Sequence, residues 1–96
     1  MPRPQLLSPA EIDQALGARP DWVHSGDRLR RTFEFPDFVT AFAFMTRVAF
    51  AAERLGHHPD WTNVYARVDV ALWTHDRGGI TSLDLELAAA MDRAAG

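Results

Sequence analysis

Apolar positions recur along this chain first with the period of a helix, then with that of a strand, and the two alternate. Ser8-Pro9-Ala10-Glu11 opens the first periodic stretch. Ser8 is suited to cap, Pro9 to the first helical position, and Glu11 to close a capping box. Ile12, Ala15 and Leu16 then share one face, and Gly17 and Pro20 end the helix. A short Trp-containing segment at residues 21–24 and the turn Ser25-Gly26-Asp27 lead into strict alternation at residues 29–35. Leu29, Arg31, Phe33 and Phe35 fall on one face, and Arg30, Thr32 and Glu34 on the other. The two segments predict a hairpin, which Pro36 stops.

Asp37 caps a long predicted helix over residues 38–55. Phe38, Ala41, Phe42, Met45, Val48, Ala49 and Ala52 form its expected inner stripe. Ala43, Phe44, Phe50 and Ala51 fall off that stripe, so the helix is apolar over most of its circumference. Such a helix is covered on more than one side. In so short a chain the second cover is expected to be another subunit or the edge of a site. Gly56 closes the helix, and His57-His58-Pro59-Asp60 forms the loop after it.

Residues 61–65 and 67–74 predict two further strands joined tightly at Tyr65-Ala66. Val68, Val70 and Leu72 share one face; Arg67, Asp69, Ala71 and Trp73 share the other. Asp76-Arg77-Gly78-Gly79 is a turn. Thr81 caps the last helix with Asp84 as its reciprocal partner, and Leu83, Leu87, Ala90, Met91 and Ala94 make its stripe. Strands joined by short turns pair antiparallel. The predicted architecture is therefore α+β, a four-stranded antiparallel sheet with helices packed on one face.

Composition narrows the class of molecule. Ninety-six residues without a linker, repeat or low-complexity stretch predict a single domain over residues 1–96. With no cysteine, neither disulfides nor thiolate metal sites are available, which fits a reducing compartment. A net charge of −3, scattered along the chain, argues against a surface that tracks nucleic acid. No apolar run reaches the roughly 18 residues of a membrane span, and MPRPQLLSPAEI does not resemble a signal peptide. A cytoplasmic, soluble protein with neither membrane nor nucleic-acid partners is expected.

Three of the four histidines gather in the chemistry-bearing region: His57 and His58 at the helix end, and His75 after the following hairpin. Imidazole is the side chain best suited to exchange protons near neutral pH. Glu53, four residues before His57, is placed to hydrogen-bond an imidazole. The residues alone leave three readings open. The histidines are acid/base groups, or they merely favour the negative end of a helix dipole, or they hold a metal. Metal is the least supported, because no histidine pair has i, i+4 spacing and no cysteine assists. His24, alone on a hairpin, is expected to be exposed. No phosphate-cradling or nucleophile-elbow motif is present.

Taken in order, these residues resemble a known family. Glu53-x3-His57-His58-Pro59, five residues to Tyr65, nine to His75 and eight to Asp84 is similar to the signature of the pterin-4a-carbinolamine dehydratases. The likeness extends to Trp22, Phe44-Met45-Thr46-Arg47-Val48-Ala49, Asp60-Trp61-x-Asn63-Val64-Tyr65 and Thr74-His75-Asp76-x-Gly78-Gly79-Ile80-Thr81, and so covers nearly the whole chain.

The resemblance implies a four-stranded antiparallel sheet backed by helices. It also implies dehydration of a 4a-hydroxytetrahydropterin to a quinonoid dihydropterin, which recycles a tetrahydropterin cofactor. No metal or organic cofactor is implied. His57, His58 and His75 would be the acid/base triad, with Glu53 orienting or charge-tuning His57. Pro59, Thr74, Asp76 and Arg77 would wall the pterin ring. Asp84 is expected to be structural, as a helix cap. Trp22 and Trp61 are either core aromatics or stacking platforms. Gly56 stands where relatives often carry Asn or Asp, and Arg77 where a small or thiol side chain is common; both departures bear on substrate side-chain preference. Homodimers or homotetramers are expected, and a non-catalytic dimerisation or interaction module of the same fold is the alternative function.

Overall fold

The computed structural model describes residues 4–96. The expectation of a chain without a signal peptide rests partly on residues 1–3, which lie outside them. Helix α1, Pro9–Leu16, forms where the capping residues place it. Ser8 Oγ accepts the Glu11 amide at 3.2 Å, and the Glu11 carboxylate accepts the Ser8 amide at 2.9 Å. That backbone bond holds the Glu11 carboxyl below its ordinary range.

Strands β1, Val23–Ser25, and β2, Arg28–Glu34, form the first hairpin. Strands β3, Asp60–Val64, and β4, Arg67–Leu72, form the second. They lie in the order β1-β2-β4-β3, every pair antiparallel. Phe33 pairs with Val68 and Arg31 with Val70, so the alternation read from the sequence sets both faces. Leu29, Phe33, Val68, Val70 and Leu72 are buried under the helices. Arg30, Thr32, Glu34 and Thr62 are exposed on the open face. The fourth strand ends two residues earlier than predicted. Beyond Leu72 only an isolated bridge, Thr74 to Gly79, continues the pairing.

Helix α2, Phe38–Leu55, has the predicted limits and the Asp37 cap. Its orientation about its axis differs from the predicted stripe. The buried residues are Ala41, Phe44, Val48, Ala51 and Ala52, whereas Phe38 and Phe42 are 51% and 54% exposed. The Phe44 ring sits 4.7 Å from that of Phe33 and 5.0 Å from that of Phe35. Aromatic packing against the sheet selects this face, which the nearly uniform apolar pattern of the helix leaves open.

Helix α3, Ser82–Ala95, lies against α2, with Leu87, Ala88, Ala90 and Met91 buried. Trp22 and Trp61 belong to the core or its margin. Trp22 Nε1 donates to Asp92 at 2.8 Å. His24, expected to be exposed, is half-buried, with Nδ1 3.8 Å from an Asp13 carboxylate oxygen. Among the described residues, no helix is long and apolar enough to cross a membrane.

Candidate active site

The geometry of the site starts at Gly56. This residue adopts φ 62°, the left-handed conformation that glycine reaches without strain. Its amide donates to Glu53 O at 3.2 Å, and the His57 amide donates to Ala52 O at 3.0 Å. The pair of bonds is a Schellman ending, which reverses the chain sharply. Consecutive histidines leave the reversal in different directions. His57 turns inward and is 8% exposed, while His58 remains in solvent.

Each finds its own carboxylate. His57 Nε2 lies 2.6 Å from Asp84 Oδ1, and His58 Nε2 lies 2.5 Å from Glu53 Oε2. The expectation that Glu53 orients His57 is therefore corrected: Glu53 holds His58. A spacing of four residues would suit Glu53 and His57 if the helix continued, but the reversal at Gly56 breaks that register. The partner of His57 comes from 27 residues further along the chain.

Asp84 is fully buried. It closes the α3 capping box, as predicted, but it also holds His57. Its Oδ2 accepts the Thr81 amide and the Thr74 hydroxyl, both at 2.9 Å. Because Thr74 spends its proton on Asp84, the 2.7 Å contact between the threonine hydroxyls runs from Thr81 to Thr74. Thr81 Oγ1 in turn accepts the Leu83 amide at 3.3 Å. Every group facing Asp84 is thus a donor, the arrangement a buried carboxylate requires. With the carboxylate accepting, the proton on His57 sits at Nε2.

His75 arrives from the other side, in the turn after β4. Its imidazole stacks on Trp73 with ring centroids 4.2 Å apart and planes 22° apart. The three histidines then line one open pocket of about 240 Å³. Gly56, His57 and His58 come from the end of α2; Trp73, Thr74, His75 and Asp76 come from the segment after β4. Glu53, Pro59 and Arg77 are not among its lining residues. The hydroxyl of Thr74 is committed to Asp84, so what it turns to the pocket is the rest of the residue. Trp73 lines the pocket without having been singled out in the sequence. Its position two residues before His75, on the same face of an extended segment, was the available signal. A hollow of about 500 Å³ lies on the open sheet face near Arg30, Thr32 and Asp69, and no histidine lines it. Among the described residues, no group of three or more His, Asp or Glu side chains is arranged to share a cation.

The arrangement offers three imidazoles at one concave surface, two of them fixed by carboxylates. It is suited to moving protons on a small molecule. Comparison with known proteins bears on which. A family profile described as pterin 4 alpha carbinolamine dehydratase matches residues 5–94. The chain belongs to this family.

Relatives in the dehydratase family agree along most of their length. A protein of Bradyrhizobium diazoefficiens is 57% identical over 82% of this chain and 81% of its own. One from Rhizobium meliloti is 52% identical over 97% of this chain and 91% of its own. Both carry the provisional name pterin-4-alpha-carbinolamine dehydratase. Among solved structures, a Brucella melitensis protein described as a transcriptional coactivator/pterin dehydratase superposes with a TM-score of 0.93 at 44% identity. The match covers 96% of this chain and all of that one. A pterin dehydratase-like protein described as a RuBisCO assembly factor in the alpha-carboxysome matches with a TM-score of 0.65 at 22% identity, covering 78% of this chain and 87% of its own. At that identity the likeness speaks to the fold alone.

Proposed function

We propose that this chain dehydrates a 4a-hydroxytetrahydropterin to the quinonoid dihydropterin by histidine acid/base catalysis and so recycles a tetrahydropterin cofactor. The observation that carries the reading is the convergence of His57, His58 and His75 on one pocket. One imidazolium gives a proton to the 4a oxygen. The C4a–O bond breaks with its electron pair and water leaves. A neutral imidazole takes the proton from a ring nitrogen, and the N–H pair becomes the new C=N bond. Atoms and charge balance, nothing is oxidised, and the two imidazoles end in exchanged protonation states. Asp84 and Glu53 orient two of the rings, and Thr74 and Asp76 border the substrate.

Purified protein is expected to accelerate dehydration of synthetic 4a-hydroxytetrahydropterin, followed by its ultraviolet absorbance. His75→Ala is expected to lower kcat by about 10²-fold or more, the scale of a lost acid or base. Wild-type protein turning over no faster than buffer would sink the reading.

We infer also that the protein self-associates as a homodimer or homotetramer. Phe42 and Phe50 are 54% and 73% exposed on α2, and Val39 is 76% exposed beside them. An apolar face of this kind on so small a domain is suited to a second copy of the same helix. Phe50→Asp is expected to shift the sedimentation coefficient to that of a monomer while the fold, read by circular dichroism, persists. A wild-type protein that sediments as a monomer at high concentration contradicts the inference. The same face is what favours the non-catalytic interaction module, for which absence of dehydratase activity together with capture of a distinct partner would speak.

A further inference from the structure

The three pocket imidazoles are not held alike. His57 and His58 each commit Nε2 to a carboxylate. Among the described residues, the imidazole of His75 has no hydrogen-bond partner, and its one ring contact is Trp73. Its backbone is anchored, since the Gly78 amide donates to His75 O at 3.3 Å, but this leaves the side-chain torsions free. His75 is exposed and lies beyond the last regular residue of β4. The stack is therefore what decides where its ring points.

Trp73 is itself held. The Arg28 guanidinium carbon lies 3.8 Å from the centroid of the indole ring, and Arg28 Nε lies 3.3 Å from an Asp27 carboxylate oxygen. A cation over an indole face is attracted by the ring quadrupole. Arg28 and Trp73 are the chain neighbours of Leu29 and Leu72, which pair in the sheet. A continuous line of contacts runs from the β1–β2 turn through Arg28 and Trp73 to His75. An imidazole held by its face keeps both ring nitrogens at the edge, free to donate and to accept. An imidazole held by a carboxylate has already given up one.

We propose that Trp73, clamped by Arg28, is a positioning residue that aims His75 at the substrate, leaving it the one pocket histidine with both nitrogens available for proton transfer. The proposal rests on the dehydratase reading of the same pocket. The competing role for Trp73 is a wall on which a flat substrate stacks. Two planar partners already lie against its ring, which favours a scaffold over a platform.

Kinetics separate the two roles. Trp73→Ala is expected to lower kcat by about 10- to 100-fold, the scale of a misplaced reacting group. KM should stay within about twofold, since no ground-state contact is lost. Trp73→Phe, which keeps an aromatic face, should recover most of kcat, and Arg28→Gln should lower kcat by less than Trp73→Ala does. A raised KM with unchanged kcat, or an unaltered rate in folded Trp73→Ala, overturns the proposal.

Proton NMR reports on the stack independently of turnover and of whether the variant folds. In wild-type protein the His75 ring protons are expected upfield of their usual positions through the indole ring current; ordinary shifts overturn the proposal. If the upfield shift is present but wild-type protein does not accelerate dehydration, the dehydratase reading has failed. The role given to the stack in that reaction falls with it, although the stack itself stands.

Discussion

Asp84→Ala is expected to lower the free energy of unfolding by about 3–5 kcal/mol, the scale for removing one partner of a buried charged contact. The loss should appear as a lower midpoint in urea with little change in slope. The substitution leaves His57 Nε2, the Thr74 hydroxyl and the Thr81 amide without their acceptor at buried positions. It also opens the α3 capping box, which contributes about 1 kcal/mol to a typical helix. Asp84→Asn keeps the shape but turns an NH₂ group toward donors, so it should cost less, about 1–3 kcal/mol. Activity should fall in both variants, because His57 loses the contact that fixes its ring. A loss of stability below about 1 kcal/mol in Asp84→Ala would show that the carboxylate matters little to folding.

Phe44→Ala should be comparably severe, at about 3–5 kcal/mol, because it empties a filled aromatic site. The side chain is fully buried and lies between α2 and the rings of Phe33 and Phe35. Small neighbours such as Ala41 cannot move far enough to fill the space. Urea unfolding followed by circular dichroism measures the loss. A change under about 1 kcal/mol would mean that α2 presents a different face to the sheet.

These two residues also mark what the sequence makes legible. Local signals read true: both capping boxes, the limits of α2, and the alternation that separates Leu29 and Phe33 from Arg30 and Thr32. Each depends on neighbours a few residues apart. The inner face of α2 does not, because its apolar residues encircle the helix and only contact with the sheet chooses among them. Phe44 falls off the periodic stripe for this reason.

The site divides in the same way. The positions of His57, His58 and His75 followed from a helix end and a strand end. Their partners did not. The resemblance gives Glu53 to His57, and the left-handed Gly56 gives it to His58 instead. The Asp84 contact spans 27 residues and two strands, beyond the reach of any local rule. Trp73 falls just beyond β4, and its contact with His75 depends on how the chain leaves the strand.

The double use of Asp84 ties motion to chemistry. Its carboxylate belongs to the first turn of α3, and the ends of helices are where local opening is easiest. Opening of that turn would withdraw the acceptor for His57 and release the ring with it. The hold on His57 therefore depends on the first turn of α3 staying formed. A substitution that loosens this turn, at Ser82 or Leu83 for example, is therefore expected to disturb His57 without touching a bound molecule.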